Sequence, residues 1–162
     1  MIAVPDRMRR VLVVAVALLL LLGAGWLYWD VSQRRAAQRS GTEAVQAARD
    51  SIVAILSYRP ESAERELETA AEDRLTGQFL QDYSQLIKTV VAPNARHQGV
   101  SAAARVPAAA VISADADRVV VLAYVDQTMT VGTADPTRTD SSVRVTMERV
   151  DGRWLVSGFD PV

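Results

Sequence analysis

Residues 11–29 read VLVVAVALLLLLGAGWLYW, nineteen positions without a charge. Wound as a helix, the run rises about 28 Å, close to the ~30 Å hydrocarbon core of a bilayer. A helix satisfies its own backbone hydrogen bonds, so this run predicts a membrane-spanning segment. Further along, Val45, Ala48, Ile52, Ile55 and Leu56 recur at three- and four-residue spacing until Arg59-Pro60. That period predicts an amphipathic helix with Thr42 as its cap and Ser40-Gly41 as a hinge or restart.

Residues 61–73 hold Glu61, Glu64, Glu66, Glu68, Glu72 and Asp73 against Arg65, with Leu67, Ala70 and Ala71 as a thin apolar side. The reading is a solvated helical face; a cation or partner site is the sharper alternative, although the spacing is not that of an EF-hand loop. A third helix is predicted from Thr76 as N-cap through Phe79, Tyr83, Leu86, Ile87, Val90 and Val91, ending at Ala92-Pro93-Asn94. After Gly99 the period changes from 3.6 to two. Residues 106–113, 118–131, 141–150 and 153–159 read as four strands, and Asp151-Gly152 between the last two is a two-residue hairpin signal. Helices followed by an antiparallel meander predict an α+β domain, the helices covering the apolar face of a curved four-stranded sheet.

The ends of the apolar run sharpen the membrane reading. Arg9 and Arg10 precede it and Trp26, Tyr28 and Trp29 close it, as interface anchors do. The basic start and Gly23-Ala24-Gly25 also fit a cleavable signal peptide, but the run exceeds a usual h-region and aromatic residues occupy the cleavage point. A buried core helix would show a polar face, which is missing. Ala15, Ala17, Gly23, Ala24 and Gly25 offer close helix packing within the span, without a G-x-x-x-G pair. Arginines flank both ends, so charge alone does not orient the segment. A short tail stays inside more readily than a long domain, which predicts an N-terminus in the cytoplasm and the domain outside. The expected organisation is a tail over 1–10, a transmembrane helix over 11–29, a juxtamembrane stalk over 30–41 and an extracytoplasmic domain over 42–162, single-pass in the plasma membrane.

Composition removes several chemistries. There is no cysteine, so disulfides, thiolate catalysis and zinc-thiolate sites are excluded. From Ser40 onward twelve Lys/Arg stand against seventeen Asp/Glu, a net charge of −5 that would repel a phosphate backbone. Nucleic acid is therefore not an expected partner. His97 is the sole histidine, in a stretch that reads as loop, and a metal motif cannot be assembled from it alone. No Walker loop or dinucleotide glycine fingerprint is present, and no cofactor is expected.

Several short runs, taken in order, carry a resemblance. The basic tail, the single span, Ser57-Tyr58-Arg59-Pro60, the run Leu75, Thr76, Gly77, Gln78, Phe79 with Tyr83, and the closing Asp151, Gly152, Arg153, Trp154 together resemble the Mce-associated membrane proteins of mycobacteria and related actinobacteria. The resemblance covers nearly the whole chain. It implies an NTF2-like (cystatin-like) fold, similar also to the periplasmic domain of VirB8-type secretion components. It further implies a non-catalytic accessory subunit that stabilises or links an Mce-type lipid import complex. The implied partners are Mce proteins and the permease, with lipid as a further candidate. The alternatives are a small lipid-binding NTF2-like domain and a VirB8-like assembly component of another envelope machine.

NTF2-like folds also host enzymes, so one catalytic arrangement was weighed. A carboxylate base opposite a tyrosine oxyanion hole would need Tyr58, Tyr83, Tyr124 and Asp126 to converge on a dry pocket. Tyr124 and Asp126, two apart on a strand, share a face. A strand end emerging into water accounts for Asp126 equally well. Trp154, just after the hairpin, reads as core, with an exposed interface anchor as the alternative.

Overall fold

The computed structural model describes residues 39–162. The tail, the span with Ala15, Ala17, Gly23, Ala24 and Gly25, the anchors Arg9, Arg10, Trp26, Tyr28 and Trp29, and the stalk up to residue 38 lie outside the described residues. Among the described residues no helix is long and apolar enough to cross a membrane.

Helix α1 occupies residues 39–56. Ala44, Ala48, Ile52 and Ile55 are buried along one side, together with Ser40 and Ser51, as an amphipathic stripe requires. The helix runs unbroken through Ser40-Gly41-Thr42, so the hinge expected at Gly41 is not there. Packing is the reason. A Cβ on Gly41 would stand 3.2 Å from Val111 Cγ2, and its absence lets the helix lie close against the sheet.

Helix α2 (Ala63–Arg74) buries Ala63, Leu67 and Ala71. Glu64 and Glu66 sit in its first turn and Arg74 in its last, both favourable to the helix dipole. A continuous helical run follows: α3 (Gly77–Leu86), a π-helical turn (Ile87–Val91) and α4 (Ala92–Gln98). Ala92-Pro93-Asn94 thus does not end the helix. Pro93 falls in the first turn of α4 after a π turn whose wider coil accommodates the ring, and the run stops instead at left-handed Gly99. His97 is accordingly an exposed residue in the last turn of α4 rather than part of a loop. The π turn also shifts the buried face. Ile87 is fully buried and Phe79, Tyr83 and Val91 pack against the core, but Leu86 and Val90, read as part of the stripe, are exposed.

Strands β1 (Val100–Ala114), β2 (Arg118–Val131), β3 (Thr137–Val150) and β4 (Arg153–Pro161) form an antiparallel meander in sequence order. β2 matches its predicted span. β1 begins six residues earlier than periodicity indicated, because its Ser-Ala-Ala-Ala-Arg start has no strand pattern of its own and is held by pairing with residues 126–130 of β2. β3 likewise begins at Thr137, where Thr137 to Asp140 pair with residues 126–129 of β2. Register shifts interrupt β1 between Arg105 and Ala108 and between Val111 and Ser113, and the β3–β4 pair beside Thr146. Such bulges add twist and bend the sheet. The turn at Asp151-Gly152 has φ of 49° and 79°, the left-handed pair a type I′ hairpin needs.

Helices cover one face of this sheet. Val119, Val121, Ala123 and Val125 of β2 and Val143, Val145 and Met147 of β3 point inward and are buried, against Ile52, Leu67, Leu75 and Ile87. Leu67→Ala is expected to cost ~2–5 kcal/mol through lost burial and an unfilled cavity. Glu68→Ala, which breaks only a surface pair with Lys88, should cost under ~1 kcal/mol. Urea unfolding of both variants checks the ordering.

Candidate functional site

The first family-like motif docks on β4, the strand that the second one opens some seventy residues later. The corner between α2 and α3 docks on β4: Leu75 is fully buried and bridges in parallel to Val156, and the Thr76 N–H donates to the Val156 carbonyl at 2.9 Å. Thr76 occupies the N-cap position of α3 without a side-chain capping bond, its backbone serving the sheet instead. Gly77 follows at a φ of 63°, which an L side chain adopts only with strain and which turns the chain from sheet contact into helix. One helical turn later Phe79 stacks nearly parallel on Phe159 of β4, with centroids 6.3 Å apart, and lies 6.0 Å from Tyr83. The Tyr83 hydroxyl donates to the Ile55 carbonyl at the end of α1. Leu75 to Tyr83 therefore tie α1, the α2–α3 corner and β4 together.

The second motif closes the opposite end of β4. Asp151 and Gly152 form the hairpin, Arg153 is exposed, and Trp154 is 9 % exposed within the core cluster. The Arg149 guanidinium lies 5.5 Å from the Trp154 ring centroid and reaches Glu43 of α1 at 3.7 Å. The indole Nε1 is buried with no hydrogen-bond partner among the described residues. Trp154 thus belongs to the core end, as the leading sequence reading had it.

The catalytic arrangement is not assembled. Tyr58 and Tyr83 lie on the helix side, Tyr58 bridging Ala102 of β1 through backbone bonds of 2.9 and 3.0 Å. Tyr124 and Asp126 do share a face, but it is the one opposite buried Ala123 and Val125, and Tyr124 is 53 % exposed. Asp126 faces Arg105 at 3.9 Å. Burial raises the Tyr83 hydroxyl above the ordinary tyrosine range, with the neighbouring Tyr58 adding to it, and burial raises Tyr58 as well. Both hydroxyls are therefore protonated donors at neutral pH.

The acidic run of α2 is largely paired with neighbouring elements. Glu64 meets Arg96 of α4, Glu68 meets Lys88 of the π turn at 3.3 Å, and Glu66 binds Arg59 through the guanidinium and the backbone N–H. The Arg59 hydrogen bond, with help from Ser62, holds the Glu66 carboxyl below the usual range. No cluster of His, Asp and Glu able to hold a metal ion is present among the described residues. Surface hollows among the described residues include one of about 250 Å³ beside Pro60, Glu64 and Arg96, and one of about 230 Å³ at the β2–β3 hairpin, lined by Met129, Val131 and Asp135. Between helices and sheet, Ile52, Leu67, Val121 and Met147 pack in one buried cluster.

Sequence reasoning missed two surface features. The first is the exposed pair Leu86 and Val90, hidden by the unforeseen π turn. The second is the bare outer edge of β1, whose uncharged run from Val106 to Ala114 was visible but could not be known to lie at an edge.

No established family profile matches the chain. Across 146 residues it is 49 % identical to outer membrane protein Rv1973 of Mycobacterium tuberculosis (strain H37Rv), spanning 90 % of this chain and 91 % of that protein. The chain belongs to the Rv1973 family. Uncharacterized protein Rv1362c of the same organism is 38 % identical over 160 residues, 96 % of this chain and 72 % of its own length. In three dimensions the Rv1973-family domain is similar to an IcmL-like type IV secretion system protein from Legionella pneumophila (TM-score 0.62, 10 % identity, 73 % of this chain and 88 % of that one). It is similar also to a periplasmic fragment of TraM (TM-score 0.61, 8 % identity, 74 % and 95 %). These likenesses show the fold: an NTF2-like α+β domain of the VirB8 type, with helices on one face of a curved four-stranded antiparallel sheet.

The Tyr83 bond yields a test of the motif. Tyr83→Phe should cost ~0.5–1.5 kcal/mol at neutral pH by removing one hydrogen bond. Since the folded hydroxyl titrates above its unfolded value, the stability it contributes is complete below pH ~10 and is lost as pH rises further. Thermal unfolding from pH 8 to 11 should therefore show a shallower alkaline decline in the variant than in the parent.

Proposed function

We propose that this protein is a non-catalytic accessory subunit of the cell envelope, anchored by residues 11–29, with its NTF2-like domain outside the cytoplasm. Its task is to stabilise or link an Mce-type lipid import complex. The observation that carries the envelope role is the near full-length relation to a protein named for the outer membrane. The fold shared with a type IV secretion protein and a periplasmic fragment supports the same reading. The Mce assignment rests on the resemblance carried by Leu75, Thr76, Gly77, Phe79, Tyr83 and Asp151 to Trp154.

We assign membrane attachment to the apolar run of residues 11–29 and not to the sheet. Four open strands with helices on one face do not close, and an open edge in hydrocarbon would leave backbone groups unpaired. The proposed location is therefore the plasma membrane, single-pass, with residues 1–10 inside.

The VirB8-type fold favours a second reading, an assembly component of another envelope machine. A lipid-carrying interior is less well supported, because Ile52, Leu67, Val121 and Met147 pack in one buried cluster between helices and sheet.

Pulldown of the tagged full chain from native membranes in mild detergent distinguishes these readings. Mce proteins or the permease are expected in the eluate. Consistent recovery of secretion-type components instead selects the second reading, and recovery of neither, with a working tag, overturns both. Replacing residues 11–29 with an unrelated apolar helix should keep the domain folded and weaken that recovery; unchanged recovery would make the span a tether only.

A further inference from the structure

Each sheet edge is only partly protected. Along the first half of β1, Ala102 exchanges both backbone bonds with Tyr58, the Ala104 N–H donates to Ser57 Oγ at 3.0 Å, and the Val106 carbonyl accepts from Arg49 Nη1 at 2.8 Å. At the far edge, β4 is met by Leu75 and Thr76. Beyond Val106, residues 108–114 make no backbone hydrogen bond among the described residues except those to β2. This half-edge holds no charge, and Val111 and Ile112 are 41 % and 53 % exposed. Natural edges are commonly blunted by charge, proline or burial, and an uncovered apolar edge is a template for another strand. Here Pro107 stands just before the free stretch, not within it.

We propose that residues 108–112 of β1 pair with the same residues of a second copy of this chain, antiparallel, about a two-fold axis at Ala110. The charges select this occupant and direction. Arg105 and Asp115 are the first charged residues on either side of the run and lie five positions from Ala110 in each direction. Antiparallel pairing about Ala110 sets Arg105 of each copy opposite Asp115 of the other, giving two symmetry-related ion pairs at the ends of an apolar seam. A parallel, in-register alignment would set Arg105 against Arg105 and Asp115 against Asp115. Both residues are exposed, and among the described residues Arg105 has only the 3.9 Å approach to Asp126 to give up. The two β1 bulges fall on either side of Ala110, between Arg105 and Ala108 and between Val111 and Ser113, leaving Ala108 to Val111 regular between them. Alanines at 108, 109 and 110 put no bulk in the way of a close approach. The contact is isologous, each copy presenting the same surface, and it covers the free half of the β1 edge in both copies.

The cysteine-free chain allows a direct test on full-length protein in membranes. Ala110→Cys would place two thiols across the axis with Cα atoms about 4.5–5.5 Å apart, within disulfide reach. Ala103→Cys on the same strand is the control, since antiparallel pairing sends its two copies to opposite ends of the seam. Mild oxidation is expected to give a covalent homodimer of Ala110→Cys at least about tenfold faster than of Ala103→Cys, because paired thiols meet at high effective concentration. In the Ala110→Cys background, Arg105→Asp or Asp115→Arg alone should slow the crosslink several-fold, and the two together should restore it. Equal rates for the two cysteine positions would overturn the proposal. So would failure of the double reversal to restore crosslinking when circular dichroism shows every variant folded, or a product whose mass reveals a different protein as partner.

Discussion

Everything in the domain depends on the inner face of β2. Val119, Val121, Ala123 and Val125 are all buried there, and they can be buried only because small residues of α1, Ala44 and Ala48, bring a helix close enough to cover them. Gly41 extends that approach to the end of β1, where even a methyl group would crowd Val111. A larger residue along this line would lift the helix and open the core along its length, since protein interiors tolerate little mismatch in volume.

The helix layer is held to the sheet at both of its edges by backbone bonds, which are insensitive to side-chain identity. Tyr58 pairs with Ala102 on the β1 side, and Thr76 with Val156 on the β4 side. Between these two clasps Glu64 and Glu68 of α2 reach Arg96 of α4 and Lys88 of the π turn, so part of the charge run that suggests a ligand site when read alone fastens one helix to another. Surface pairs of this kind contribute little each. Their effect is to orient α2 and to remove its acids from the inventory of free charge. The chemistry left outside the core is apolar and directional: an unpaired strand edge, two exposed residues beside the π turn, and a sheet face carrying Tyr124. Such a surface suits docking, as the proposed accessory role requires.

Much of this architecture was legible along the chain, and the reasons are local. The stripe of α1, the alternation of Val143, Val145 and Met147, and the Asp151-Gly152 turn are written in a few consecutive residues each, and periods of 3.6 and two state which side faces the core. The α+β class followed from their order. The motif residues Leu75, Thr76, Gly77, Phe79, Tyr83 and Trp154 were also visible, as a pattern, but that two motifs seventy residues apart both grip β4 was not, because their meeting depends on how the helices cross the sheet.

What the sequence by itself determined was the type of each element and the side it buries, since hydrogen-bond period and side-chain polarity are properties of neighbouring residues. Only the tertiary structure decided where elements stop and which surfaces stay open. Ser101 to Arg105 is a strand because β2 and Tyr58 pair with it, not because alanine prefers one. The helix passes Pro93 because a π turn absorbs the missing hydrogen bond. The outer edge of the second half of β1 has no backbone partner among the described residues because the helix clasp ends at Val106. Each outcome is set by partners far away in sequence, whose long-range contacts outweigh local preferences of about 1 kcal/mol or less per residue.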